Sequence, residues 1–150
     1  MTELAPGIAG LVEGMKQQLE HVHPFFSKLE FQATRVARGE IAFELTTAPA
    51  FADGDVMHGG FFSITLDSIL AMATYLDLDV MQPIATINLK VDQARAVTPG
   101  TRVVCEARCE AITDDVAVTR GDVRLKDGTL VATGAATFMV GTRSAQVSRL

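Results

Sequence analysis

His58-Gly59-Gly60 stands directly before an apolar run, and Asp67 follows nine residues after His58. If the run is a helix, its first turn offers unpaired N–H groups and a partial positive charge. Two glycines bare that backbone to a ligand. An oxyanion or a polarised carbonyl is the natural guest. The plainer alternative is that Gly59-Gly60 only lets the helix start pack tightly. Asp67 lies among Ile64, Leu66, Ile69, Leu70 and Ala71. A carboxylate in apolar surroundings is costly unless it is paired. Ser63, Ser68, a strand residue or solvent could satisfy it. The reading favoured is a general base or nucleophile in a mostly dry pocket.

Spacing then bears on assembly. Gly59 and Asp67 are eight residues apart, about 12 Å along a helix axis. A base and an oxyanion donor serving one carbonyl must each come within about 3 Å of the reacting atoms. One copy of the helix cannot do both, whereas two copies about a two-fold axis can. The expectation is at least a homodimer with two shared sites.

The positioning elements follow from hydrophobic periodicity. Residues 7–22 read as a helix with Ile8, Leu11, Val12, Met15 and Leu19 on one stripe, stopped at His23-Pro24. Leu29, Phe31 and Ala33, then Ile41, Phe43 and Leu45, alternate with polar residues around an Arg38-Gly39 turn, as in a hairpin with one wet face. Residues 48–57 read as a loop. Residues 59–76 are apolar nearly all round, which predicts a helix buried on every side. Four strands follow. In 84–93, Ile87, Leu89 and Val91 share one face, and Thr86, Asn88 and Lys90 the other. In 101–112, Val103, Cys105, Ala107, Cys109 and Ala111 face inward. In 116–126, Val116 and Val118 face in and parity then switches to Val123 and Leu125, which predicts a bulge at Gly121. Asp114-Asp115 and Asp127-Gly128 are turns. Residues 129–140 are apolar on both parities, as in a strand covered on both faces. The class is α+β: an antiparallel sheet of about six strands wrapped around one long central helix, with an extra N-terminal helix.

Composition narrows the function classes. The 150 residues carry 13 basic and 18 acidic side chains, a net charge of -5, with a sequence pI near 5.1 and a mean hydropathy of +0.25. An acidic chain lacks the cationic stripe that general nucleic-acid binding needs, and anionic membranes would repel it. Hydrophobic residues make up 48%, which excludes disorder and leaves apolar surface for burial between subunits. Two cysteines, Cys105 and Cys109, are too few for a disulfide scaffold and read as reduced core residues. The first twenty residues show no signal-peptide pattern. The segment from Phe61 to Leu76 is short for a membrane span and carries Asp67. A cytoplasmic location is expected. His21 and His23 form a His-x-His pair without a third ligand nearby, so no metal is expected. Lys90, Arg95, Arg102, Arg124 and Arg143 are candidates to meet anionic phosphates, or simply a solvated face.

With these residues in view, the sequence resembles the hotdog-fold acyl-CoA thioesterases of the phenylacetate-degradation (PaaI-like) type. The matching stretches are VMHGGFFSITLDSILAMATYL, ATINLKVDQARAVTPGTRVVCEARC and VRLKDGTLVATGAATFMV, and the likeness runs over roughly residues 40–140. It implies a hotdog fold over 28–142, preceded by a helix and connector over 1–27 and followed by a tail over 143–150. It implies hydrolysis of an acyl-CoA thioester to free acid and CoA, with no cofactor and no metal. Gly59 would polarise the carbonyl through its N–H, and His58 would shape the turn. Asp67 of the facing subunit would activate water or attack the carbonyl, and Thr86 would hydrogen-bond near it. Gly60, Phe61, Ser68 and Arg95 would line the substrate site. The usual assembly is a homotetramer of two dimers.

Three departures stand out. The family often has an Asn about six residues before the His, but Ala52 holds that place and no Asn lies between Thr46 and His58. The family's aromatic and Pro near the end of the third sheet strand are Gln93 and Ala96 here, while Arg95 is kept, so a different substrate pocket or CoA channel is expected. The N-terminal helix is additional, and could line the acyl pocket or an interface. The first departure motivates an alternative, a non-catalytic acyl-CoA or acyl-group binding protein. A hydratase or dehydratase would need a His and an acid in a different local pattern.

Overall fold

Phe62, Leu66, Ile69 and Leu70 are all fully buried, and a 19-residue helix carries them, α2 (Gly59–Asp77). A helix this apolar must be wrapped, and a single antiparallel sheet does so. The structure, a computed structural model, describes residues 8–21 and 23–141, without the side chains of residues 8, 9, 11 and 12. The chain runs through α1 (Ile8–His21), β1 (Glu30–Ala37), β2 (Glu40–Thr46), β3 (Ala52–Asp53), β4 (Val56–Met57), α2, β5 (Ile84–Gln93), β6 (Arg102–Thr113), β7 (Val116–Leu125) and β8 (Leu130–Val140). The six long strands form one sheet in the order β1-β2-β6-β7-β8-β5. Its neighbouring strands are antiparallel throughout. This is the expected α+β architecture. By length and hydropathy α2 could also cross a membrane, but much of it is packed inside the sheet.

The sheet's concave face packs on α2. Ile41, Phe43 and Leu45 of β2 and Val103, Cys105 and Ala107 of β6 are buried there, as alternation predicted. The turns also fall where expected. Gly39 and Gly128 take φ of +67° and +90°, and Asp114 and Asp115 take +50° and +63°. Arg38 in the β1–β2 turn clamps the far end of α2. Its guanidinium bonds the Asp77 carboxylate at 3.3 Å, the Asp77 carbonyl at 3.2 Å and Asp79 at 2.7 Å. A cation at a helix C-terminus also suits the helix dipole. In α1, Met15 and Leu19 pack on the core, while Ile8, Leu11 and Val12 fall outside the described side chains.

Several expectations need correction. Residues 48–57 hold a 3-10 turn over Pro49–Phe51 and the small β3–β4 hairpin, not a plain loop. The parity switch in β7 is absent. Ala117, Thr119 and Val123 are buried on odd positions throughout, and Val118 is exposed. Register with β6 is unbroken through Gly121. The glycine is there because a Cβ would sit 2.6 Å from the Glu106 carbonyl oxygen and 3.2 Å from Leu70 Cδ2. In β6 a register shift between Cys109 and Ala111 turns Ala111 outward and brings Ile112 against the core. In β8, Met139 is exposed on the outer face, so one chain does not cover both faces of that strand.

Candidate active site

α2 begins abruptly, and the cap explains why. His58 is extended (φ -60°, ψ 135°), and its Nδ1 accepts the Gly60 N–H at 2.9 Å. The imidazole thus does what a capping carboxylate or hydroxyl usually does. With Nδ1 accepting, the proton of the neutral ring sits on Nε2. The His58 N–H donates to the Phe51 carbonyl at 3.0 Å, and the Met57 N–H to the Val97 carbonyl at 2.7 Å. These bonds anchor the approach to the helix. The Phe61 N–H bonds the His58 carbonyl at 2.9 Å.

The two glycines separate here. A Cβ on Gly60 would lie 3.0 Å from His58 Nδ1, so Gly60 is small to let the cap close. The Gly59 N–H has no acceptor among the described residues, and the residue is exposed. Gly59 is therefore the open donor at the positive end of α2.

Asp67 sits on one open strip of the helix. Ile64 is 44% exposed, and Asp67, Ala71 and Tyr75 are half-buried. Residues three and four apart share a helix face, so these four form a stripe that the sheet leaves uncovered. α2 is thus not buried on every side, and the one ionisable group of its middle lies on the uncovered strip. Asp67 is not enclosed in a dry pocket by its own chain. Its partner is a strand residue: Thr86 Oγ1 donates to Asp67 Oδ1 at 3.2 Å.

That contact depends on a defect in β5. Alternation places Ile87 inward and Thr86 outward. The register with β8 shifts between Thr86 and Asn88, leaving Ile87 as a bulge that is 53% exposed. Thr86 then lies across from the buried Phe138, and Leu89 across from the buried Ala136. A bulge reverses parity beyond it, and this one turns Thr86 toward α2.

The other expected site residues divide. Ser68 is half-buried on α2, and Arg95 is exposed and makes no ion pair among the described residues. Phe61 is only 2% exposed; its ring packs in a cluster with Phe25, Phe51 and Phe62. Lys90 pairs with Asp92, Arg102 with Glu44 and Glu30, and Arg124 with Asp122; Arg143 lies outside the described residues. His23 Nδ1 accepts the N–H groups of Phe25 and Phe26, both at 3.2 Å. Both thiols are reduced, and burial first, then Asp77, pushes the Cys109 thiol up to about 12. An apolar cavity of about 300 Å³ opens between α1 and the β1–β2 hairpin, lined by Leu19, Phe31, Phe43 and Met72 among others. Neither Gly59 nor Asp67 touches it. Gln93, whose side chain reaches the first turn of α2, was not among the residues expected at the site.

The chain belongs to the thioesterase superfamily, whose family model matches residues 54–132. No curated protein matches it. Solved structures share the fold. A zebrafish thioesterase superfamily member 2 is 19% identical with a TM-score of 0.76, covering 89% of this chain and 97% of that one. A variant of the phenylacetic acid degradation protein PaaI from Thermus thermophilus is 25% identical with a TM-score of 0.69, covering 78% and 98%. A hypothetical thioesterase from Streptococcus pneumoniae, solved with coenzyme A, is 16% identical with a TM-score of 0.67, covering 77% and 89%. The wrapped-helix architecture is thus the hotdog fold of this superfamily.

Proposed function

We propose that the protein hydrolyses an acyl-CoA thioester to a carboxylic acid and CoA, as a PaaI-like thioesterase. The observation that carries this is the Asp67 carboxylate on the open strip of α2, with Thr86 donating to one of its oxygens. Coenzyme A bound to the Streptococcus pneumoniae thioesterase supports a CoA ester as substrate.

The chemistry needs two chains. The Gly59 N–H of one chain polarises the thioester carbonyl, and Asp67 of the other faces the carbonyl carbon. As a base, Asp67 takes a proton from water while the water oxygen bonds to the carbonyl carbon. The tetrahedral intermediate then collapses, the C–S bond breaks, and the CoA sulfur takes the proton from Asp67. As a nucleophile, Asp67 would instead form an acyl anhydride that water cleaves. Thr86 fixes the rotamer of the carboxylate in either course. β5 is an edge of the sheet, and such an edge with an exposed Ile87 invites pairing with a second copy. The dimer would bring the two open helix strips together. Outward Val118 and Met139 offer a face for joining dimers into a tetramer.

CoA release from a panel of acyl-CoAs tests this reading. The wild type is expected to turn over, and Asp67→Ala to lose about 10²–10⁴-fold in kcat while still binding substrate. Full activity in Asp67→Ala would overturn the role. Tight acyl-CoA binding without release in the wild type would instead favour the binding-protein alternative. In a single turnover in ¹⁸O water, label in the Asp67 carboxylate identifies the nucleophile course with water attacking the Asp67 side of the anhydride, since the base course never labels that side chain.

A further inference from the structure

Thr86 and Gln93 of β5 both point at α2, although they are seven residues apart. Strict alternation would set them on opposite faces. The bulge at Ile87 reconciles them: Thr86 lies across from Phe138 and Gln93 across from Ala132, both buried positions of β8. Thr86 meets the middle of α2, and Gln93 meets its first turn. The carboxamide Oε1 of Gln93 lies 2.9 Å from where a Cβ on Gly59 would stand. Its Nε2 donates to the Arg95 carbonyl at 3.1 Å and keeps a second hydrogen for another acceptor.

The first turn is short of donors. His58 already engages the N–H groups of Gly60 and Phe61, so the Gly59 N–H stands alone. A carbonyl gathering negative charge is normally held by more than one preorganised donor. The segment between Thr46 and His58 contains no Asn or Gln. Its Thr47 is buried and bonded to the Thr98 and Thr101 carbonyls, and Asp53 and Asp55 would repel an oxyanion. Gln93 is the neutral amide that the fold brings to Gly59.

We propose that the Gln93 carboxamide, beside the Gly59 N–H, is the second donor to the substrate's thioester carbonyl, a role that rests on the thioesterase reading. In the structure its oxygen covers Gly59. Turning the terminal torsion, which is broad and two-fold, brings the nitrogen there, and water takes its place on the carbonyl of Arg95, an exposed residue.

The test compares wild type with Gln93→Ala and the near-isosteric Gln93→Glu. Loss of one such donor is expected to lower kcat about 100-fold with little change in KM. Gln93→Glu should fall further, because its carboxylate opposes the developing negative charge. A group that merely packed over Gly59 would tolerate glutamate, so wild-type kcat in either variant overturns the proposal. A second measurement does not need turnover. The infrared carbonyl band of a bound S-(2-oxoalkyl)-CoA, a ketone that cannot hydrolyse, should shift down in wild type and less in Gln93→Ala. A Gln93-dependent shift in a wild type that releases no CoA keeps the donor and removes the thioesterase. Hydrolysis with a kcat and band indifferent to Gln93 removes the donor alone. No hydrolysis and no analogue binding removes both.

Discussion

Thr86 is the residue on which strand alternation and the family resemblance disagree, and the structure sides with the resemblance. Alternation puts its hydroxyl on the outer face of the strand, yet it donates to Asp67 at 3.2 Å. Replacement by valine keeps the β-branched shape and deletes the donor. We expect Thr86→Val to fold normally and to lose about 1 kcal/mol of carboxylate positioning, read as a several-fold fall in kcat with KM nearly unchanged. Steady-state kinetics on the best acyl-CoA check it; an unchanged kcat would mean that Asp67 needs no such anchor. Asp67 and Gly59 were legible in the sequence as candidates, because a lone acid in an apolar run and a glycine pair before it are local signals. Gln93 was legible only as a departure from the family. The role proposed for it rests on its side-chain oxygen lying over Gly59, thirty-four residues away in the chain.

At the scale of elements, strand parity is where sequence reading failed and packing decided. Gly121 looks like a bulge because the valines around it change parity. It is instead an unbroken inward position where Leu70 and the Glu106 carbonyl leave no room. A methyl there must displace backbone, so Gly121→Ala is expected to cost roughly 1–3 kcal/mol. At about 2–4 °C per kcal/mol for a chain of this size, a thermal melt will resolve it; an unaltered Tm would contradict the tight contact. The β2–β6 pair carries a pH-sensitive contact. Hydrogen bonds from Arg102 and then Lys126 hold the Glu44 carboxyl below the usual carboxylate range. A depressed folded value means the contact stabilises above the ordinary carboxylate pKa and is lost as pH falls through the depressed one. Glu44→Gln should therefore melt below wild type at pH 7, with the gap closing as acid is added. A gap independent of pH would show that charge is not the cause.

The whole molecule raises the question of shared sites. Gly59 and Asp67 lie on one helix, eight residues apart, too far to serve one carbonyl from a single chain. Proline suits the first position of a helix, and extended His58 suits the residue before it. Gly59→Pro therefore removes the open N–H, requiring the Gln93 side chain above it to shift. Co-expressed with Asp67→Ala, it should form mixed dimers with one intact site each, restoring roughly a quarter of wild-type activity under random pairing. Each variant alone should be nearly inactive. No recovery in purified mixed dimers would mean that the two residues do not act on one carbonyl across subunits.

Periodicity and composition by themselves determined the class of fold, the core helix and the main hairpin turns, and singled out Gly59 and Asp67 as candidates. These are properties of neighbours along the chain, where side-chain type and spacing are enough. Only the tertiary structure decided which side of α2 stays open, which way β5 turns beyond Ile87, and which side chain covers Gly59. A one-residue bulge reverses every later side chain of a strand, and what stabilises it is contact with elements distant in sequence.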